Sequence, residues 1–298
     1  METSGRIASL EVWPELPYNA WKDTLDTLHM KTQIVGKVRL ALTPFEPQWA
    51  NVPFYLTARG LTTSPIQSAA ANFQIDIDLI DHQVVIATIN GETRRVALKA
   101  RPVADFYSDL MSNLDALGIH ANFRPVPDEV PDPIPFAEDT VHSAYEPEWA
   151  NRFFQVLSRA DLILKEHRSH YLGRTSPVHF FWGTFDLANS RYSGRPATPP
   201  AGVGLIERLG GNAELSCAGF WPGSARYPRA AFYAYTYPKP EAIEREAANW
   251  SSELGEFALP YDDVRTSKSP RETILKFFES TYDAGARLAG WDPKLVAK

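Results

Sequence analysis

The chain has 298 residues, enough for one large domain or two medium ones, and 44% apolar against 22% charged residues excludes wholesale disorder. With 30 Lys and Arg against 36 Asp and Glu the net charge is −6, and no run of five basic residues occurs, so a nucleic-acid partner is not expected. The single cysteine, Cys217, excludes an intramolecular disulfide and a multi-cysteine metal framework, and fits a reducing compartment.

In chain order, residues 19–33 predict a helix opened by Asn19, with Trp21, Leu25, Leu28 and Thr32 on one stripe. Residues 34–42 alternate Val38, Leu40 and Leu42 with Lys37, Arg39 and Ala41, which predicts a strand. Residues 52–57 predict another, followed by a loop punctuated by Gly60 and Pro65. Residues 73–79, 84–89 and 93–98 read as three antiparallel strands, the last two joined by the Asn90-Gly91 hairpin turn. A helix follows Pro102, with Val103, Phe106, Leu110, Leu114 and Leu117 on one face and Gly118 as its stop. Five prolines within residues 125–135 predict a stiff, extended connector.

The second half opens on a helix carrying Trp149, Phe153, Phe154 and Leu157. Extended segments are predicted at residues 178–187, 230–237 and 256–259, with a long loop at 196–211 and an aromatic loop at Phe220-Trp221-Pro222-Gly223. The last helix starts at Ser269-Pro270-Arg271-Glu272, a capping box with Pro at the first helical position. The expected fold is α+β: antiparallel sheets flanked by helices, with a first half at 1–124, a Pro-rich connector at 125–136 and a second half at 137–298. Both halves run from a Trp-opened helix through a Gly-plus-Thr-Ser-Pro loop, an x-Asp-Leu strand and an x-Ala-Leu strand to a Pro-started helix, an order that suggests internal duplication with a cleft between the halves.

Residues 174–195 gather the chemistry-bearing side chains. On one continuous strand, Trp182 and Asp186 share a face and His179 lies on the other, unless a bulge at Gly183 resets the parity. Arg191 and Arg195 flank Ser193-Gly194 in an apparent turn. Their guanidiniums can fork onto a carboxylate or phosphate of a ligand; alternatively one pairs with Asp186 and the other is solvated. His29 sits at the edge of the first helix's apolar stripe, as a ligand-facing residue or a core-edge histidine, and Arg59 next to Gly60 mirrors the second-half arginines. His167, His170 and Glu166 have a spacing that suits a metal, but read better as a polar helix end, so no metal or cofactor is expected.

Several stretches resemble an uncharacterised, mostly bacterial protein family known only as a domain of unknown function. They include Trp13-Pro14-Glu15-Leu16-Pro17, Thr27-Leu28-His29, Arg59-Gly60-Leu61-Thr62-Thr63-Ser64-Pro65, the run from Ser176 to Leu187, Ser193-Gly194-Arg195, Gly219-Phe220-Trp221-Pro222-Gly223 and Glu256-Phe257-Ala258-Leu259-Pro260-Tyr261. Met30 stands where the resemblance implies Trp. The resemblance covers residues 11–293 and implies no activity.

Residues 1–10 lack the basic stretch and apolar core of a secretory signal. No apolar run approaches the ~20 residues of a membrane span, so the expectation is a cytoplasmic protein with no membrane partner. The functional expectation is a protein or enzyme that binds an anionic or polar organic molecule between the halves. Arg191, Arg195, Trp182, Trp221, His29 and Arg59 would hold the ligand, with His179 or Asp186 as acid or base. The alternative is a structural or interaction protein. Oligomeric state is not legible.

Overall fold

The computed structural model describes residues 13–246 and 248–296; the reading of residues 1–10 lies outside them. The first half is helix α1 (Tyr18–Leu42), a five-stranded antiparallel meander β1 (Tyr55–Leu56), β2 (Gly60–Thr62), β3 (Phe73–Asp78), β4 (Gln83–Thr88) and β5 (Thr93–Ala97), and helix α2 (Val103–Ala116). The second half is α3 (Pro147–Ser169), β6 (His179–Phe181), β7 (Asp186–Pro196), the short α4 (Leu205–Gly210), β8 (Ala213–Trp221), β9 (Ala231–Tyr237), β10 (Trp250–Ser251), β11 (Glu256–Pro260), α5 (Tyr261–Arg265) and α6 (Pro270–Leu288). Its six strands run in the antiparallel order β10-β11-β9-β8-β7-β6. The fold is therefore α+β as expected. None of these helices is long and apolar enough to cross a membrane.

The two sheets meet edge to edge. Just before β1, Phe54 exchanges both backbone hydrogen bonds with Phe180 of β6, each 2.9 Å. Helices α3 and α6 cover one face of β7–β9, while α2 packs on β5 and α1 lies between α2 and α3. At the join, Trp21, Phe54, Phe153, Phe180 and Phe185 form a buried aromatic cluster that belongs to a core continuous through both halves.

The clearest departure from the sequence reading is α1, which begins at Tyr18 and runs unbroken through residues 34–42 to Leu42. Alternation predicts a strand only where one face is wet. Here Ile34, Val35, Gly36, Lys37, Val38 and Arg39 are all buried, so tertiary burial outweighs the weak helix propensity of the β-branched residues. The buried polar groups are matched: Arg39 Nε–H donates to Asn51 O at 2.8 Å, and Lys31 Nζ to Lys99 O at 2.9 Å. Gln33 brackets the backbone of Asp128, whose carboxylate meets Lys37 at 2.5 Å. The Pro-rich connector, free of helix and strand from 119 to 135, is thereby pinned along α1.

Other expectations shift locally. Residues 178–187 form a hairpin, not one strand: Trp182–Phe185 make the turn, and Phe185 N–H donates to Phe181 O at 2.7 Å. Residues 52–57 contribute only β1 and the Phe54 bridge, Gly60–Thr62 is strand β2 instead of loop, and the predicted loop at 196–211 contains α4. Phe220 and Trp221 end β8, the central strand that the sequence reading lacked. Ser269 stands at the start of α6 with no side-chain cap hydrogen bond, and Pro17, not Asn19, precedes α1.

Candidate functional site

On β9 the side chains of Phe232, Ala234 and Thr236 turn inward toward α6, leaving Tyr233, Tyr235 and Tyr237 on the outer face. Register extends this outer face across the sheet. Tyr235 lies opposite Cys217 and Cys217 opposite Ser190; Tyr233 lies opposite Gly219 and Gly219 opposite Ala188. His179 and Phe181 of β6 join it opposite Ala188 and Asp186. A Cβ at Gly219 would stand 2.4 Å from Tyr233 Cζ. The missing side chain lets the Tyr233 ring cross β8, so that its hydroxyl donates to Asp186 Oδ2. Tyr235 stacks beside Tyr233 with centroids 6.3 Å apart and planes 9° from parallel. Phe257 of β11 pairs with Ala234, which brings Glu256, one residue earlier, onto the outer face next to Tyr235.

Asp186 also accepts from the Thr184 hydroxyl. Burial pushes its carboxyl above the usual range, and the two hydroxyl donors oppose that shift. Burial and the Asp186 charge together raise Glu256 to about 7. They also raise Glu129, whose carboxylate lies so close to Gly183 that a Cβ there would be 2.2 Å from Oε2. No Lys, Arg or His among the described residues forms an ion pair with these three acids. Burial raises the Cys217 thiol to about 12, which excludes a thiolate at neutral pH.

An open hollow of about 290 Å³ adjoins this face. Its walls include Tyr235, Tyr237, Trp250 and Ile243, with Glu256 and Lys239 as its charged groups. The Lys239 ammonium lies 4.5 Å from the centre of the Trp250 ring.

Of the residues anticipated from sequence, His29, Trp182 and Asp186 meet around the Trp182–Phe185 turn. Trp182 is 6% exposed, packs on Gly36, and donates its Nε1–H to Val52 O at 2.9 Å. His29 Nε2 faces the carbonyls of Trp182 and Gly183 at 3.0 and 2.9 Å and therefore carries the proton; burial lowers its pKa to about 4. It is a core-edge histidine that clamps the turn. His179 shares the outer face with Asp186 after all, because the turn resets the parity. It contacts Tyr55 and Phe181 edge-on, its buried Nε2 has no hydrogen-bond partner among the described residues, and burial lowers it to about 4.

The two arginines do not converge. Arg191, 1% exposed, turns inward to Glu279 (3.1 and 3.2 Å), His167 and the rings of Tyr171 and Tyr282. Arg195 is exposed and pairs with Glu214 at 2.7 Å, with Ala289 O at 2.6 Å. Each guanidinium thus already faces a carboxylate, and β7 continues through both positions, with an irregularity between Tyr192 and Pro196 in place of the expected turn. Arg59 braces the β3–β4 turn through Asp78 and Asp81. Trp221 stacks on Tyr227. His167 and His170 both face Glu279, whereas Glu166 pairs with Arg271.

Residues 13–298 match the model of a family of unknown function, DUF5996. The chain belongs to DUF5996. No curated protein matches this DUF5996 chain. The site residues that sequence reasoning missed in it are Glu256, Trp250, Lys239 and the Tyr233–Tyr235–Tyr237 row. The run Phe232-Tyr233-Ala234-Tyr235-Thr236-Tyr237 carried the signal, since tyrosine at every second strand position marks a face with an apolar body and a wet edge.

Proposed function

We propose that this protein binds a small polar organic molecule in the hollow at the outer face of the second sheet, against Tyr235, Tyr237 and Trp250, with Glu256 as the group that answers the ligand's polarity. The observation that carries the reading is a carboxyl with no cationic partner among the described residues, raised to about 7, at the wall of an aromatic hollow of about 290 Å³. A carboxyl in that range exchanges a proton at neutral pH, so the same arrangement would serve a reaction needing an acid or base. The reading keeps the small polar ligand expected from sequence. It moves the site from the junction of the halves to the β9–β11 end of the sheet, because Arg191 and Arg195 are engaged with Glu279 and Glu214.

A thermal-shift screen of amines, amino acids, sugars and organic acids tests it. A true ligand at a hundredfold excess over its Kd adds about 2.7 kcal/mol of stability. Its shift is expected to shrink in Trp250→Ala and Glu256→Gln proteins. If no compound shifts the wild type more than it shifts these variants, the reading fails.

A further inference from the structure

We infer that the ligand of this hollow is an organic ammonium ion, whose cation rests on the Trp250 face that Lys239 now occupies and whose charge is met by Glu256; this rests on the hollow being a ligand site.

Three observations converge. The first is charge. Glu256 lines the hollow, Asp186 lies behind it on the same face, and neither forms an ion pair with a cation among the described residues. Among the described residues the hollow's charged wall groups are Glu256 and Lys239, and the Asp186 charge acts on Glu256 from outside the wall, so the three sum to one negative charge when both carboxyls are ionised. An anionic ligand would meet repulsion from them, and a neutral one would leave the imbalance in place. The second is the wall itself. Trp250, Tyr235 and Tyr237 supply π faces, whose negative quadrupole attracts a cation at close range, and indole is the strongest of them. The third is precedent within the molecule. The Lys239 Nζ stands 4.5 Å from the Trp250 ring centre, so this face already accepts an alkylammonium. Lys239 is exposed on a flexible stem and can swing into water when a second cation arrives.

Binding of choline to the full-length protein, compared with its uncharged carbon isostere 3,3-dimethylbutan-1-ol, tests the inference by NMR or calorimetric titration. The two share shape and hydroxyl and differ in charge. Choline is expected to bind at least about tenfold tighter than the isostere, the combined effect of cation–π attraction and a carboxylate. Glu256→Gln is expected to weaken choline by roughly tenfold while leaving the isostere unchanged. Lys239→Met, at an exposed position, is expected to tighten choline by roughly threefold through loss of the competing ammonium. Equal affinity for choline and the isostere would overturn the ammonium assignment while leaving the hollow as a ligand site. Absence of choline binding would overturn the ammonium assignment, whereas the hollow as a ligand site stands or falls by the thermal-shift screen. Choline that binds Lys239→Met no more tightly than wild type would overturn the displacement. The wild-type comparison needs no variant, so the inference stays falsifiable even if Glu256→Gln folds poorly.

Discussion

Glu256 has a carboxyl whose ordinary value of 4.5 rises to about 7 through burial and the neighbouring Asp186 charge. Between those limits the unfolded chain is ionised where the folded chain holds a proton. Its contribution to stability is therefore fully present below pH 4.5 and is lost as pH rises through 7. Glu256→Gln removes this liability. The variant is expected to exceed wild type by about 1 kcal/mol at pH 8, discounted for partial exposure, and to match it at pH 5. Urea midpoints at the two values check this, and a variant equally stable or weaker at pH 8 contradicts it. Gly219 carries a second residue-scale expectation. A methyl there would lie 2.2 Å from Leu187 O and 2.4 Å from Tyr233 Cζ, so Gly219→Ala should displace Tyr233 from Asp186 and cost about 1–3 kcal/mol by denaturant titration. The concentration of aromatic and polar side chains in the run 178–187 was legible, and Asp186 stands on the outer face of the second sheet, where Tyr233 reaches it. Which residues face one another was not, because the turn at Trp182–Phe185 resets parity. Phe185 adopts a φ of +61°, a conformation disfavoured for a bulky residue and supported by burial of its ring, which no local signal announces.

At the scale of elements, α3, β7 and α6 are stapled by Arg191. Burial opposes ionisation of Glu279, yet hydrogen bonds from His167 and Arg191 outweigh it and hold the carboxyl down at about 2. A depressed carboxyl contributes stability above its ordinary value of 4.5 and loses it as pH falls from 4.5 toward 2. Glu279→Gln leaves the Arg191 charge buried without its counterion. It should cost about 2–4 kcal/mol at pH 7, with the gap to wild type narrowing at pH 3 in urea titrations. A gap independent of pH would show that packing, not charge, holds the staple. Elements with a strong period were legible: β3–β5 with the Asn90-Gly91 turn, α2, α3 and α6 all lie close to the residues predicted for them. The second half of α1 was not, since a helix buried on every side has no polar stripe from which to read a period of 3.6. Nor was β8, whose Ala213–Trp221 run is mostly buried and does not alternate cleanly between wet and dry.

At the scale of the whole molecule, each half runs from a helix through an antiparallel sheet to a helix, but the five strands of the first sheet lie in sequence order, whereas in the second β11 stands between β9 and β10. One core runs through both. Gly36 of α1 packs against Trp182 of the second half with no room for a side chain, for a Cβ there would stand 2.3 Å from the Trp182 ring. Gly36→Ala is therefore expected to lower stability by about 1–3 kcal/mol, and wild type and variant should each unfold in a single transition, with tryptophan fluorescence and far-ultraviolet dichroism coinciding. Two separated transitions would mean that the halves are independent domains.

Two separate sheets would present four outermost strands to their surroundings. Linked through the backbones of Phe54 and Phe180, they present two, β5 with exposed Arg94 and Arg95, and the two-residue β10. Neither offers another molecule a long apolar ladder to extend, so the bonds that unite the halves also protect the protein from edge-on aggregation.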